Sequence, residues 1–442
     1  MSTPVLQQHL PWHTQTIPGI PPNIEGLECS QFPCAAIGQA RVSRPDVDLF
    51  SSKLTVIQWI GPSECLEYLP FLITSTLQIF ILQVQSVTMN NLNSLDVFFK
   101  TIPLRSPFLR GFKFSLPPAD SYAQAISRSL GELFSLLPEL VSILFSSHYM
   151  TKELFTTLSQ LPQLQDLSLI YWAEFWSDDK DVGNLPKREI DDDEEAGNDI
   201  PFRSLRKAKI SISDFNFMIT EVLRRDIQLL KLIDLTYSVV SPDRNFDSFF
   251  EPLHRICPNL KKISIPDVSL PFRTIRSLLK CPALVEIVSD GDVDMELEDI
   301  VTIAMDRSSW KVIILQPMKP LSYQALAHFT QNCPDLYELG LTLDPKLRIP
   351  DRNTFPTDIK FSSLTSLLVG FSELAPDFEL AFFLSRIFSK PIKVRARGSE
   401  TNCRLWKTLE ELVNFIVTSQ LKIRALEDEN MLLRTQQCNN DT

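Results

Sequence analysis

An apolar-x-x-apolar-x-apolar pattern returns along this chain. It is plain at Leu164/Leu167/Leu169, Leu230/Ile233/Leu235, Trp310/Ile313/Leu315 and Leu364/Leu367/Val369. Three instances are sharper and share a Cys-Pro opening. They are Cys257-Pro258-Asn259-Leu260-Lys261-Lys262-Ile263-Ser264-Ile265, Cys281-Pro282-Ala283-Leu284-Val285-Glu286-Ile287 and Cys333-Pro334-Asp335-Leu336-Tyr337-Glu338-Leu339-Gly340-Leu341. Weaker members start at Leu54, Leu77, Leu109, Leu140 and Leu205. The first apolar positions fall at 54, 77, 109, 140, 164, 205, 230, 260, 284, 310, 336 and 364. One apolar triplet is cheap in a chain that is 44% hydrophobic, but a run of them at near-constant spacing is not.

Most of the steps lie in or close to the 20–29-residue period of leucine-rich repeats. The last two apolar positions of each unit, two apart, fall on the same face of a short strand and point to the core. Proline after cysteine ends the preceding helix, so Cys-Pro marks the passage from helix to strand. Between strands lie helix-period segments: Phe272/Ile275/Leu278/Leu279, Leu154/Phe155/Leu158 and Ala325/Leu326/Phe329. The predicted fold is α/β, an irregular leucine-rich-repeat solenoid with a curved parallel sheet inside and helices outside, plus a C-terminal helix. It covers residues 51–398. Residues 1–50, with seven prolines from Pro4 to Pro45, read as an irregular lead-in.

The longest step holds an insertion, Ser177 to Asp199, with ten acidic and three basic residues. It reads as a solvated loop, either a tolerated surface insertion or a docking tail for a basic partner. Trp172, Phe175 and Trp176 just before it read as a local cap on the sheet.

Residues 399–435 form the C-terminal helix. Leu405, Leu409, Leu412, Ile416, Ser419, Ile423, Leu426, Asn430 and Leu433 alternate steps of four and three. Asn430 takes an a-type heptad position if Leu409 does. Leu405 to Ile416 is expected to cap the last repeat. For Ile423 to Leu433, capping and pairing with another helix both stay open.

The formal net charge of −11 sits mostly in the acidic insertion, and it disfavours sequence-independent nucleic-acid binding. Twelve glycines argue against glycine-rich phosphate loops. The eight cysteines are scattered, without a C-x-x-C pair. Those of the repeats, Cys257, Cys281 and Cys333, are expected to pack between helix and sheet. The start MSTPVLQQHLPWHTQ lacks the basic and apolar regions of a secretory signal, which predicts reduced thiols and a cytoplasmic or nuclear location. The uncharged stretch Tyr68 to Leu95 reads as buried sheet rather than a membrane span. Five histidines sit outside any H-E-x-x-H, and Asp290-Gly291-Asp292-Val293-Asp294 departs from a calcium loop in its glycine and glutamate positions, reading instead as a strand-end turn. No enzyme, metal or cofactor is expected.

The C-P-x-L-x-x-L-x-L units resemble those of F-box leucine-rich-repeat proteins over roughly Ser51 to Val394. The layout is similar to that of a group of fungal F-box-type proteins. The carriers of that likeness are Leu69-Pro70-Phe71-Leu72 with Ser75-Thr76-Leu77, and the Trp-containing helix Leu405-Trp406-Lys407-Thr408-Leu409-Glu410-Glu411-Leu412. The resemblance implies substrate selection for a Skp–cullin–F-box ubiquitin ligase, with a protein substrate, a Skp-family adaptor and a cullin as partners. The chain departs from that group in its F-box: only Leu10-Pro11 matches the usual opening, so adaptor binding is carried to no residue here. A free-standing repeat scaffold, associating through Ile423 to Leu433, is the alternative.

Strand residues between the core-facing positions point to the concave surface. They are Lys207, Lys209, Asp234, Lys262, Ser264, Glu286, Asp290 and Glu338, with apolar Leu232, Val288, Val312 and Ile314. Val312 and Ile314 are expected to be exposed anchors for a partner.

Overall fold

A computed structural model of the chain describes residues 26–28, 54–61, 66–67, 69–70, 72–85, 92–118, 120–170, 202–211, 234–238, 250–265, 269–344, 349, 360–372 and 378–440. It comprises two compact units, Met1–Ser204 and Leu205–Thr442. The acidic insertion, Trp172, Phe175, Trp176 and Leu232 lie outside the described residues.

Unit 1 holds β1 (Gly26–Glu28), β2 (Val56–Gly61), β3 (Ile79–Val84), β4 (Gly111–Ser115), β5 (Ser142–Ser146) and β6 (Asp166–Ile170). They add side by side in chain order, all parallel. Helices α1 (Leu92–Arg105), α2 (Asp120–Ser135) and α3 (Lys152–Ser159) follow β3, β4 and β5 and pack on one another in sequence. Period-two alternation sends Ile57, Trp59, Phe80, Leu82, Phe112, Phe114, Ile143 and Phe145 into the core, all buried. Aromatic rings line that core. Phe80 meets Phe98 of α1 at 5.2 Å, Phe114 meets Phe99 at 5.3 Å, and Phe112 meets Phe134 of α2 at 5.7 Å between centroids. Strand β1 lies inside the segment that the sequence reads as irregular. The uncharged stretch Tyr68 to Leu95 supplies the wholly buried β3 and the start of α1, and among the described residues no helix is long and apolar enough to cross a membrane.

Unit 2 repeats the scheme with β7 (Lys207–Ser211), β8 (Asp234–Ser238), β9 (Lys262–Ile265), β11 (Glu286–Asp294), β12 (Val312–Pro317), β13 (Glu338–Gly340), β14 (Ser366–Gly370) and β15 (Lys393–Ala396). A two-residue β10 (Leu270–Pro271) pairs with the end of β11. Its helices are α4 (Leu253–Ile256), α5 (Phe272–Leu278), α6 (Leu297–Asp306), α7 (Gln324–Asn332), α8 (Phe378–Ile387) and α9 (Glu400–Asn440). Strand, turn and helix, added in order to a parallel sheet, make each unit a leucine-rich-repeat solenoid of the α/β class.

The Cys-Pro signature is a turn. In each case the cysteine N–H closes the preceding helix: Cys257 on Leu253 O at 2.7 Å, Cys281 on Leu278 O at 2.9 Å, Cys333 on Phe329 O at 2.9 Å. The cysteine carbonyl then accepts from the leucine three residues on, at 3.1 Å from Leu260, 3.3 Å from Leu284 and 3.3 Å from Leu336. Proline at the second turn position presets φ for this bend. The same turn occurs without cysteine at Ser106-Pro107-Phe108-Leu109 and Leu137-Pro138-Glu139-Leu140, where Leu109 donates to Ser106 O at 3.2 Å and Leu140 to Leu137 O at 3.2 Å. The three thiols are buried, and burial pushes the pKa of Cys281 up to about 11 and of Cys333 up to about 12. They pack, as expected. Arg307 ties two such units together. Its guanidinium donates to Cys281 O at 2.7 Å and Leu284 O at 2.8 Å while lying 5.0 Å from the Trp310 ring centre.

Three sequence expectations change. Leu235 stands opposite Ala208 and Ile263, which occupy the second apolar position of their units, so this unit counts from position 232 and not 230. Asp290 to Asp294 is not a strand-end turn: it continues β11 through a bulge between Val288 and Asp292. Strand β15 is a further repeat strand that the triplet pattern passes over.

Helix α9 closes unit 2. The sheet edge at β15 would leave backbone groups unpaired, an invitation to foreign strands. Asn414 covers it by accepting from Ile392 N–H at 2.8 Å and donating back to Ile392 C=O at 2.8 Å, and Glu410 accepts from Val394 N–H at 2.5 Å. Trp406, buried, donates through Nε1 to Ser372 O at 2.9 Å. The buried stripe of the helix is Trp406, Leu409, Val413 and Val417, whereas Leu405, Leu412 and Ile416 are half-buried.

Candidate functional site

Strand register places the candidate residues of unit 2 in two rows across the sheet face turned away from the helices. The first runs Lys207, Asp234, Lys262, Glu286, Val312, Glu338, Ser366, Lys393. The second runs Lys209, Thr236, Ser264, Val288, Ile314, Gly340, Leu368, Arg395. Thr236, Ser366, Leu368, Lys393 and Arg395 join the rows beyond the residues that the sequence pattern points to. The signal that finds them is the register of β8 and β13 to β15, which local periodicity does not carry.

Lys262 and Glu286, on neighbouring strands of the first row, carry opposite charges, which favours lateral pairing. Lys262 Nζ lies 3.9 Å from Glu286, and Arg395 lies 3.8 Å from Glu338 across the intervening β14. Ser366 Oγ donates to Glu338 at 3.3 Å. Tyr337 reaches over β12 to donate to Glu286 at 3.4 Å, and burial together with that carboxylate raises the tyrosine pKa. Asp290, in the bulge, meets Arg397 at 3.0 Å. Pairing therefore runs through the middle of the face and reaches β15, and Lys207 and Lys393 at the two ends of the first row are exposed.

Val312 and Ile314 are on this face, but they are not exposed anchors. Their relative exposures are 4% and 8%. Gly340 explains the second: a Cβ there would stand 2.8 Å from Ile314 Cγ2, so the isoleucine leans into the room that glycine leaves. Val288 and Leu368 beside it are half-buried and form the accessible apolar part of the second row.

Unit 1 offers an open depression of about 430 Å³ at the strand starts, walled by Thr55, Thr76, Gln78, Phe108 and Arg110. One terminal guanidinium nitrogen of Arg110 is buried there without a hydrogen-bond partner. Among the described residues, no group of three or more His, Cys, Asp or Glu is placed to hold a metal ion.

No family model matches the sequence, and no curated protein matches it. Solved structures do. A chain of the TLR13–ssRNA13 complex aligns at 14% identity with a TM-score of 0.37, over 71% of this chain and 46% of its own. This chain thus spans less than half of that one. A chain of the yeast Rad7–Elc1 complex aligns at 15% identity with a TM-score of 0.37, over 77% of this chain and 78% of its own.

Proposed function

We propose that the chain is a protein-interaction module, the substrate-recognition subunit of a Skp–cullin–F-box-type ubiquitin ligase, and that it holds its substrate on the two strand rows of unit 2. The observation that carries the binding half is the row geometry. Eight strands present a face free of their own helices, with a half-buried apolar strip at Val288 and Leu368 and exposed lysines at the ends. Apolar surface rimmed by charge suits a protein partner. The contacts assigned to the substrate are Lys207, Lys209, Asp234, Lys262, Ser264, Glu286, Asp290 and Glu338, joined by Leu368, Lys393 and Arg395. Val312 and Ile314 support the strip from within rather than touching the partner.

The ligase half rests on the sequence resemblance: the C-P-x-L units and the tryptophan-bearing terminal helix. It is tested by isolating the tagged chain from its native cells, expressed from the present and from any upstream start codon. Co-purification of a Skp-family adaptor and a cullin is the expected result. Their absence from both forms removes the ligase reading and leaves a repeat scaffold.

A further inference from the structure

Helix α9 runs 41 residues, and only its first half lies against the solenoid. From Leu421 to Thr435 every residue is exposed, including Ile423 at 56%, Leu426 at 59% and Leu433 at 52%. Apolar side chains at that spacing on a protruding helix stay in water unless something covers them. The charges around them say what.

With Ile423 and Asn430 at a and Leu426 and Leu433 at d, the flanking g positions are Lys422 and Glu429, and the e positions are Glu427 and Arg434. In a parallel pair of identical helices, each g residue faces the e residue five positions further along the other strand. Lys422 then meets the second copy's Glu427, and Glu429 meets the second copy's Arg434. Both contacts join opposite charges, and symmetry forms each of them twice. An antiparallel pair that stacks the same a and d layers instead sets Glu427 against Glu427 and Glu429 against Glu429. Asn430 adds a third vote, because an a-position asparagine meets its own twin only in the parallel arrangement and fixes the register there.

We propose that residues 421–435 are a homodimerisation element, forming a short parallel two-stranded coiled coil with a second copy of this chain. The seam is only about two heptads long, so the dimer is weak and reversible. Its folded stem removes most of the nucleation cost that an isolated helix of this length would face.

The test uses the full chain in sedimentation equilibrium across about two decades of concentration. A reversible monomer–dimer equilibrium is expected. Glu427→Lys places Lys422 against lysine and should weaken the dimer by roughly tenfold. The double variant Lys422→Glu/Glu427→Lys restores the opposite charges and should recover it. Leu426→Asp should give monomer with an unchanged circular dichroism spectrum, since Leu426 is 59% exposed in the single chain. Monomer at every concentration overturns the proposal and hands the exposed seam to a helix of another protein. A dimer that Glu427→Lys leaves unaltered overturns the parallel seam.

Discussion

Asp290 and Arg397 are 107 positions apart in sequence, yet their side chains meet at 3.0 Å. The strands that carry or precede them, β11 and β15, are separated by β12, β13 and β14. Flat spacing of about 4.8 Å per strand would put them about 19 Å apart, beyond the combined reach of an aspartate and an arginine. The sheet of unit 2 must bend toward this face for the contact to form, and the pair spans the bend. Both side chains are partly exposed, at 32% and 44%, so the strap is screened by solvent. Arg397→Ala is expected to lower stability by no more than about 1 kcal/mol, and by less in high salt. A urea titration at two ionic strengths reads both; a salt-independent loss of several times that size would assign Arg397 a different role.

Gly340 makes a stronger claim. An added methyl at 2.8 Å from Ile314 Cγ2 has to push the isoleucine or the strand aside. Gly340→Ala should cost about 1–3 kcal/mol, measured as a lower urea midpoint. Pairing it with Ile314→Val, which removes only the far methyl, should not help, whereas Ile314→Ala frees the space and should make the two changes less than additive. Additive losses would mean that the isoleucine does not occupy that room.

At the other end of unit 2, Asn414 pairs with both main-chain groups of Ile392. Asn414→Ala leaves the edge of β15 unpaired and should destabilise by about 2 kcal/mol. It should also promote aggregation, since the open edge can then recruit a strand. Light scattering on the variant at constant temperature shows the second effect, and a clear solution at an unchanged melting point would contradict the capping role of α9.

Burial holds the thiols of Cys281 and Cys333 neutral up to about 11 and about 12. Raised folded-state values mean that the unfolded chain ionises first. The stabilisation they give is fully present below the ordinary thiol value near 9 and is lost as pH rises through the folded values. The thiolate is the reactive form, so these two cysteines should resist alkylation at pH 8 in the native protein and react once urea unfolds it. Mass spectrometry of pulse-labelled protein gives the answer by residue, and fast native labelling of either one would contradict their burial.

The solenoid was legible because eleven of the twelve triplet openings mark strands that begin two residues later. Their failures have local causes. Around 230 the run Leu229-Leu230-Lys231-Leu232-Ile233 offers two triplets of the same parity. The unit slipped by two residues while Asp234 kept its face. Strand β15 follows Pro391 where the other units have an apolar residue, so the pattern had nothing to find. Alternation set Val312 and Ile314 on the correct face, but their burial depends on the neighbouring strands, as Gly340 beside Ile314 shows, and one strand's own alternation does not carry that. In α9 two apolar rows overlap one residue apart. Heptad arithmetic follows the longer row, through Leu412 and Ile416, while the solenoid buries the row through Trp406, Val413 and Val417.

The strand rows of unit 2 are the surface proposed to select a protein. Lys207 and Lys393 end the first row, both exposed, and Lys207→Glu/Lys393→Glu reverses each end without entering the core. Quantitative mass spectrometry of proteins retained by the tagged wild-type chain and by this double variant, from the same cells, tests the claim most directly. The predicted result is selective loss of one retained protein from the variant, with adaptor and cullin retained equally by both chains. Identical sets of retained proteins from two equally folded chains would contradict it.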